Sequence, residues 1–163
     1  MSVLGRLKKE KKSKKRMAFF VDGPNMLRRE FDIDLAVVKK QLEQFGNLSI
    51  AKIFLNQFAP DKLIEAVINQ GFQPVMVTSD DVDAPMAAEA MEAVFNNNID
   101  IIALMTRDSD FQTVLTKAKK YGKETIVVGS EPFAVALKNT ADHVIIIKTK
   151  RSSKEKGFTA PAV

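Results

Sequence analysis

Four aspartates of this sequence each follow an apolar run or begin the helix predicted after one: Asp22, Asp83, Asp108 and Asp110. In an alternating β/α chain, the carboxyl ends of parallel strands bring distant side chains to one edge of the sheet. Asp108 and Asp110 are two residues apart, and such carboxylates repel each other unless a cation or a shared proton compensates. The pattern therefore indicates an acidic pocket suited to metal-dependent chemistry.

The residue types of the chain limit which metal sites and catalytic sites it can form. The chain has no cysteine and one histidine, so the expected metal ligands are oxygen atoms, which suit Mg²⁺ or Mn²⁺, with Mg²⁺ preferred. His143 begins the last apolar run and is expected at a strand end or on the surface rather than in a Ser-His-Asp site. The absence of a GxxxxGK[ST] loop, and of GxGxxG after the first apolar run, argues against a nucleotide cofactor.

Apolar runs and helical patterns alternate between the two ends of the chain. The predicted strands are 17–22, 49–55, 73–78, 100–105, 124–129 and 143–148, and the predicted helices are 33–46, 60–71, 82–97, 110–122 and 132–139. Continuous apolar strands separated by helices indicate a parallel sheet covered on both faces. We predict a doubly wound α/β domain over residues 17–148, with five or six strands and with strand 100–105 in the centre.

The net charge of +5 is distributed unevenly. Residues 1–16 contain eight basic side chains and one acidic one, and residues 148–163 contain five and one, so the body between them is acidic. We predict a basic arm over 1–16 and a flexible basic tail over 149–163. These arms are either simply solvated or bind the phosphates of a nucleic acid. The predicted phosphate-binding residues are Lys8, Lys9, Lys11, Lys12, Lys14, Lys15 and Arg16.

No apolar stretch reaches the roughly 20 residues that a membrane-spanning helix needs, and the start of the chain lacks a secretory signal pattern. We therefore expect a cytoplasmic protein that does not contact a membrane.

Three motifs, DGPN (22–25), DVDAPMAAEAM (81–91) and TRDSDF (106–111), occur in the order and spacing of the NYN-domain proteins. The chain resembles this family, a branch of the PIN-like nuclease superfamily that includes LabA-like proteins, over residues 17 to about 147. The resemblance implies a three-layer α/β/α sandwich with a mainly parallel sheet. It also implies an acidic site that binds Mg²⁺ or Mn²⁺ for RNA cleavage.

Carried over by motif, the resemblance assigns metal binding to the four aspartates, and Asn25 would orient water or phosphate. Glu89, on the helix that Asp83 begins, would act from behind the metal ligands, and Ser109 would do so or contact substrate. Arg107 is either a surface residue that neutralises the carboxylates or a bidentate ligand of the scissile phosphate. Two features depart from the family pattern. The acidic pair Asp80 and Asp81 precedes Asp83, where a lysine is common, and Arg107 replaces the usual glycine.

We therefore predict a metal-dependent endoribonuclease whose partner is RNA, preferably single-stranded. The alternative is an RNA-binding or assembly module of the same fold that has lost turnover. A response-receiver domain also gathers acids at strand ends, but it needs paired acids where this chain has only Asp22, and a lysine where strand 124–129 is followed by Ser130 and Glu131. The sequence leaves open whether the protein forms a homodimer and how many metal ions it binds. It also leaves open whether residues 26–31 lie over the site or pack away from it.

Overall fold

The computed structural model describes residues 14–28 and 32–148, and within them strands alternate with helices. The strands are β1 (Arg16–Asp22), β2 (Asn47–Leu55), β3 (Gln73–Met76), β4 (Ile101–Met105), β5 (Glu124–Gly129) and β6 (His143–Ile146). The helices are α1 (Gly23–Met26), α2 (Leu35–Leu42), α3 (Asp61–Asn69), α4 (Asp83–Val94), α5 (Gln112–Lys120) and α6 (Val135–Thr140). A 3₁₀ turn at Ser109–Phe111 leads into α5.

The six strands form one sheet in the order β3-β2-β1-β4-β5-β6, and every neighbouring pair is parallel. The predicted α/β class with a parallel sheet is confirmed, and β4 is central because it pairs with β1 and β5. The chain builds outward from β1 to β2 and β3, and then returns to the other side of β1 to place β4. At such a reversal the connections leave in opposite directions, so a crevice opens between the carboxyl ends of β1 and β4.

Alternate residues of each strand face opposite sides of the sheet, and each side carries a helical layer. Phe20 belongs to a core with α4, α5 and α6, whereas its neighbour Phe19 belongs to a core with α1, α2 and α3. Buried strands with apolar residues on both faces are expected for a parallel sheet between two helical layers. The architecture is therefore the expected three-layer α/β/α sandwich.

The helix predicted over 33–46 is shorter in the structure. It begins after Asp34, whose carboxylate accepts a hydrogen bond from the backbone N–H of Ala36 at 2.9 Å, the usual interaction of an N-cap aspartate. It ends at Leu42, and the backbone N–H of Phe45 then closes a turn on the Leu42 carbonyl. The apolar spacing on which the prediction rested therefore continues past the last helical residue.

The basic arm, predicted to end at residue 16, includes residues that contact the folded body. Lys15 Nζ lies 2.8 Å from Glu124 Oε2. Arg16 is the first residue of β1, and its backbone N–H donates to Asp100 Oδ2 at 2.8 Å. Lys14 is exposed. The remaining predicted phosphate-binding residues, Lys8, Lys9, Lys11 and Lys12, and the tail 149–163 lie outside the described residues.

Among the helices of residues 14–28 and 32–148, none combines the length and the apolar character needed to cross a bilayer.

Candidate active site

Asp22 is the last residue of β1, and its side chain is fully buried. Gly23 and Pro24 turn the chain into α1, for which Asp22 is the N-cap. The Asp22 carboxylate accepts hydrogen bonds from the backbone N–H of Asn25 at 3.3 Å and from Asn25 Nδ2 at 2.8 Å. A Cβ atom at Gly23 would lie 2.3 Å from the carbonyl oxygen of Phe54 on β2, so only glycine permits this close turn.

Asp108 follows β4, the strand next to β1 on the opposite side from β2. Its backbone N–H donates to Thr106 Oγ1 at 3.1 Å, and its Oδ1 accepts from the backbone N–H of Asp110 at 2.9 Å. These bonds make Asp108 the N-cap of the 3₁₀ turn. The structure thus gives Asp108 a local structural role and places it across the crevice from Asp22.

Asp83, the first residue of α4, forms a side-chain hydrogen bond with Asp108. Burial raises the pKa of Asp83 to about 8, with further contributions from this hydrogen bond and from the charges of Asp22, Asp108 and Asp81. The same hydrogen bond, followed by the one from the backbone of Asp110, lowers the pKa of Asp108. At neutral pH the two carboxyl groups therefore hold one proton between them.

Burial also raises the pKa of Asp22. Its two hydrogen bonds from Asn25 oppose this effect, whereas the charges of Asp81 and Asp108 add to it. Asp22, Asp83 and Asp108 come from three separate segments of the chain and influence one another electrostatically, and we call them the acidic cluster. Like charges therefore crowd among these three residues.

Asp81 was not among the predicted metal ligands, yet it belongs to the surroundings of the cluster. Its Oδ1 accepts a hydrogen bond from the backbone N–H of Asp83 at 2.8 Å, which closes a local turn where α4 begins. Its charge raises the pKa of both Asp22 and Asp83. An aspartate side chain that bonds the backbone N–H two residues later is a common local turn. Asp80 holds the same loop, since its Oδ1 accepts from Gln57 Nε2 at 3.1 Å.

Three other predicted site residues, Asp110, Ser109 and Glu89, differ in their surroundings. Asp110 and Ser109 are exposed on the 3₁₀ turn. Glu89 forms an ion pair with Lys52, with 2.7 Å between Oε2 and Nζ. This lysine on β2 was not anticipated from the sequence, because the pairing depends on how α4 packs across the sheet. Glu89 is therefore neutralised locally.

Arg107 and Arg28 line a cavity of about 540 Å³ beside the cluster, which we call the cluster cavity. Asn25 and Asp108 also line it, and its other residues are Pro132, Phe133 and Ala134. The Nε of Arg28 donates to the Pro24 carbonyl at 3.1 Å. The sequence left the position of residues 26–31 open, and Arg28 of this segment lies at the site. Two guanidinium groups next to a carboxylate favour binding of an anionic substrate.

A divalent cation fits the donor chemistry of the cluster, because its oxygen ligands are those that Mg²⁺ and Mn²⁺ prefer. The side-chain arrangement, however, does not form a finished site. Within residues 14–28 and 32–148, no group of three or more His, Cys, Asp or Glu side chains is placed so that it could hold a metal ion. The proton shared by Asp83 and Asp108 already offsets part of the repulsion that a cation would offset. An ion would have to displace that proton and draw the carboxylates together.

His143 lies at the amino-terminal ends of the parallel strands. It is the first residue of β6, and its Nε2 is 2.7 Å from Oε1 of Glu124, the first residue of β5. Because the strands are parallel, this amino-terminal edge is opposite the acidic cluster. His143 therefore takes no part in the site, as expected for a strand-end residue.

The chain matches the NYN domain family over residues 16–148. It is 54% identical over 140 residues to an uncharacterized protein of Methanocaldococcus jannaschii, covering 85% of this chain and 58% of that protein. It also resembles the crystal structure of a protein of unknown function from Vibrio parahaemolyticus, with a TM-score of 0.73, 19% identity, and coverage of 84% of this chain and 95% of the other. That structural likeness supports the fold alone. The chain therefore belongs to the NYN domain family, within the PIN-like nuclease superfamily.

Proposed function

We propose that this protein is a metal-dependent ribonuclease that hydrolyses phosphodiester bonds of RNA. The observation that supports this most directly is the meeting of Asp22, Asp83 and Asp108 at the crevice between β1 and β4. Crowded carboxylates are costly for a fold, and a cation that binds them recovers this cost. The nuclease-like family is consistent with this use of the site.

When bound, Mg²⁺ or Mn²⁺ would polarise the phosphodiester, activate a water molecule and stabilise the leaving oxygen. Asp22, Asp83 and Asp108 would hold the ion, for which Asp83 must lose its proton. Asn25 keeps the Asp22 carboxylate oriented through its two hydrogen bonds. Asp110, also predicted as a metal ligand, and Ser109 are exposed on the adjoining turn and would contact the ion, water or substrate.

Arg28 and Arg107 would hold the substrate phosphate in the cluster cavity. An acidic cluster alone repels RNA, so basic groups at its mouth are needed to admit a phosphate. Guanidinium groups bind phosphate through paired N–H donors, which also fixes its orientation. In this proposal Arg107, where the family usually has glycine, serves substrate binding.

The second candidate is an RNA-binding or assembly module without turnover. It is favoured by the absence, among the described residues, of a carboxylate group already arranged for a metal ion. In that case the proton shared by Asp83 and Asp108 would be the permanent state of the site, and the arginines would bind RNA without cleavage.

One assay separates the two candidates. Purified protein is incubated with generic single-stranded RNA in Mg²⁺, in Mn²⁺ or in chelator, together with Asp108→Asn and the control Glu92→Gln, which neutralises an exposed carboxylate later in α4. Loss of an outer partner of a metal site already costs roughly 10–100-fold, so loss of a ligand should reduce cleavage by about 100-fold or more. Glu92→Gln should cleave like the parent protein. RNA binding without cleavage in every metal condition would favour the module.

A further inference from the structure

A second cavity, of about 890 Å³, opens beside the acidic cluster on the side of the sheet that carries α1, α2 and α3. Most of its lining is apolar and includes Leu27, Leu55, Phe58 and Leu63. We call it the apolar groove. Cavities of this size with apolar walls and a few polar groups are typical binding sites for small ring-containing groups.

The apolar groove is adjacent to the acidic cluster. Gly23 and Pro24, which line it, directly follow Asp22, and Leu55 is the last residue of β2, the strand paired with β1. Arg28 lines both the apolar groove and the cluster cavity. A ligand that extends from one cavity into the other must therefore pass this guanidinium group.

Phe58 is the large aromatic side chain of the groove, and 69% of its surface is exposed. The backbone that carries this side chain is held by hydrogen bonds of the loop. The backbone N–H of Phe58 donates to Asn56 Oδ1 at 3.0 Å, and Asn56 Nδ2 donates to the carbonyl oxygen of Asp80 at 3.2 Å. An exposed aromatic ring on an ordered turn is available for stacking at little cost in backbone entropy.

The charges around the groove limit which ligand fits it. Arg28 and Lys62 are balanced by Asp32 and Asp34, and the Asp34 carboxylate already caps α2. A ligand with several phosphates in the groove would meet these carboxylates. The lining instead suits an uncharged ring inside and one phosphate at the Arg28 end.

We propose that the apolar groove binds the base of an unpaired nucleotide adjacent to the phosphodiester held at the acidic cluster. Phe58 stacks on that base, and Arg28 contacts the phosphate between the two cavities. A paired and stacked base of a duplex does not reach such a pocket, so the groove selects single-stranded RNA. The inference rests on the proposed function in one respect, that the ligand is RNA, but it does not require turnover.

The test measures binding of short RNA in chelator, so that cleavage plays no part. The probes are a single-stranded oligonucleotide, the same oligonucleotide with an abasic residue moved one position at a time, and a duplex of the same sequence. The variants are Phe58→Ala, Phe58→Trp and Phe95→Ala. Phe95 is a matched control, because it is 57% exposed and lies beyond the far end of α4 from Asp83.

Phe58→Ala should weaken binding of the intact single strand about 5- to 100-fold, the usual effect of removing one stacking aromatic, whereas Phe58→Trp should retain it. Phe95→Ala should bind like the parent protein. One abasic position should weaken binding to the parent protein by a similar factor, but should cause no further loss in Phe58→Ala. Duplex binding should be the same for all proteins.

The inference is wrong if Phe58→Ala binds the single strand as tightly as the parent protein, or if the abasic loss persists unchanged in Phe58→Ala. Either result would show that the groove does not bind the base. Failure of the ribonuclease proposal looks different: metal-dependent cleavage would be absent while the Phe58-dependent binding remained.

Discussion

The proton shared by Asp83 and Asp108 makes the stability of the fold depend on pH in a specific way. The pKa of Asp83 is about 8 in the folded protein, against an ordinary value of 3.8. Between these values the folded protein binds a proton that the unfolded chain does not. The free energy of unfolding contributed by Asp83 is therefore fully present below about pH 4 and is lost as the pH rises to about 8.

Asp83→Asn should remove this loss. An amide has the shape of the protonated carboxyl group and can donate the same hydrogen bond to Asp108. A pKa difference of about four pH units would correspond to about 6 kcal/mol of unfolding free energy if solvent did not screen the interaction. Asp83 is only partly buried, and solvent screening reduces such energies severalfold, so we expect about 1–2 kcal/mol.

The assay is urea unfolding of the parent protein and of Asp83→Asn in chelator at several pH values from 5 to 8.5. The variant should gain about 1–2 kcal/mol relative to the parent protein across this range, because most other titrating groups are common to both and cancel. Glu92→Gln should run parallel to the parent protein. Parallel curves for Asp83→Asn and the parent protein would refute the shared proton.

Three further predictions concern the metal ion, the turn after β1 and the basic arm. Mg²⁺ or Mn²⁺ should release close to one proton per bound ion at pH 7, because the ion displaces the proton shared by Asp83 and Asp108. Calorimetry in buffers of different ionisation enthalpy measures the number of protons released. A number near zero would contradict the prediction. Gly23→Ala should lower the free energy of unfolding by about 2 kcal/mol or more, because its Cβ would lie 2.3 Å from a backbone oxygen. Gly122→Ala, which has a φ of +78° but no atom within 4 Å of the added Cβ, should lose only about 1 kcal/mol in the same chemical denaturation experiment, and equal losses would argue against the close turn. Deleting residues 1–13 should weaken RNA binding and its dependence on salt, and an unchanged salt dependence would show that this arm does not bind phosphates.

The fold was predictable because parallel strands buried on both faces must be apolar throughout, and each such run ends at a clear turn. The strand-end position of Asp22 and of Asp108 follows from the same pattern. The sequence did not predict the role of Asp81, because Asp80, Asp81 and Asp83 all lie near the helix start and only the loop geometry shows which of them bonds the backbone there. It also did not predict that Glu89 pairs with Lys52, since that contact depends on how a helix lies over a distant strand.

The parallel sheet also determines where fused domains or tags would lie. The described chain enters the sheet at Arg16 and leaves it after Ile146, and in a parallel sheet these are opposite edges. The seven residues of β1 span about 23 Å at roughly 3.3 Å per residue. A fusion joined through Lys148 begins at the edge that holds the acidic cluster, where it can obstruct the cluster cavity. A fusion joined at Lys14 in place of the basic arm begins at the far edge, so it would leave the cluster cavity open while cleavage is measured without the arm.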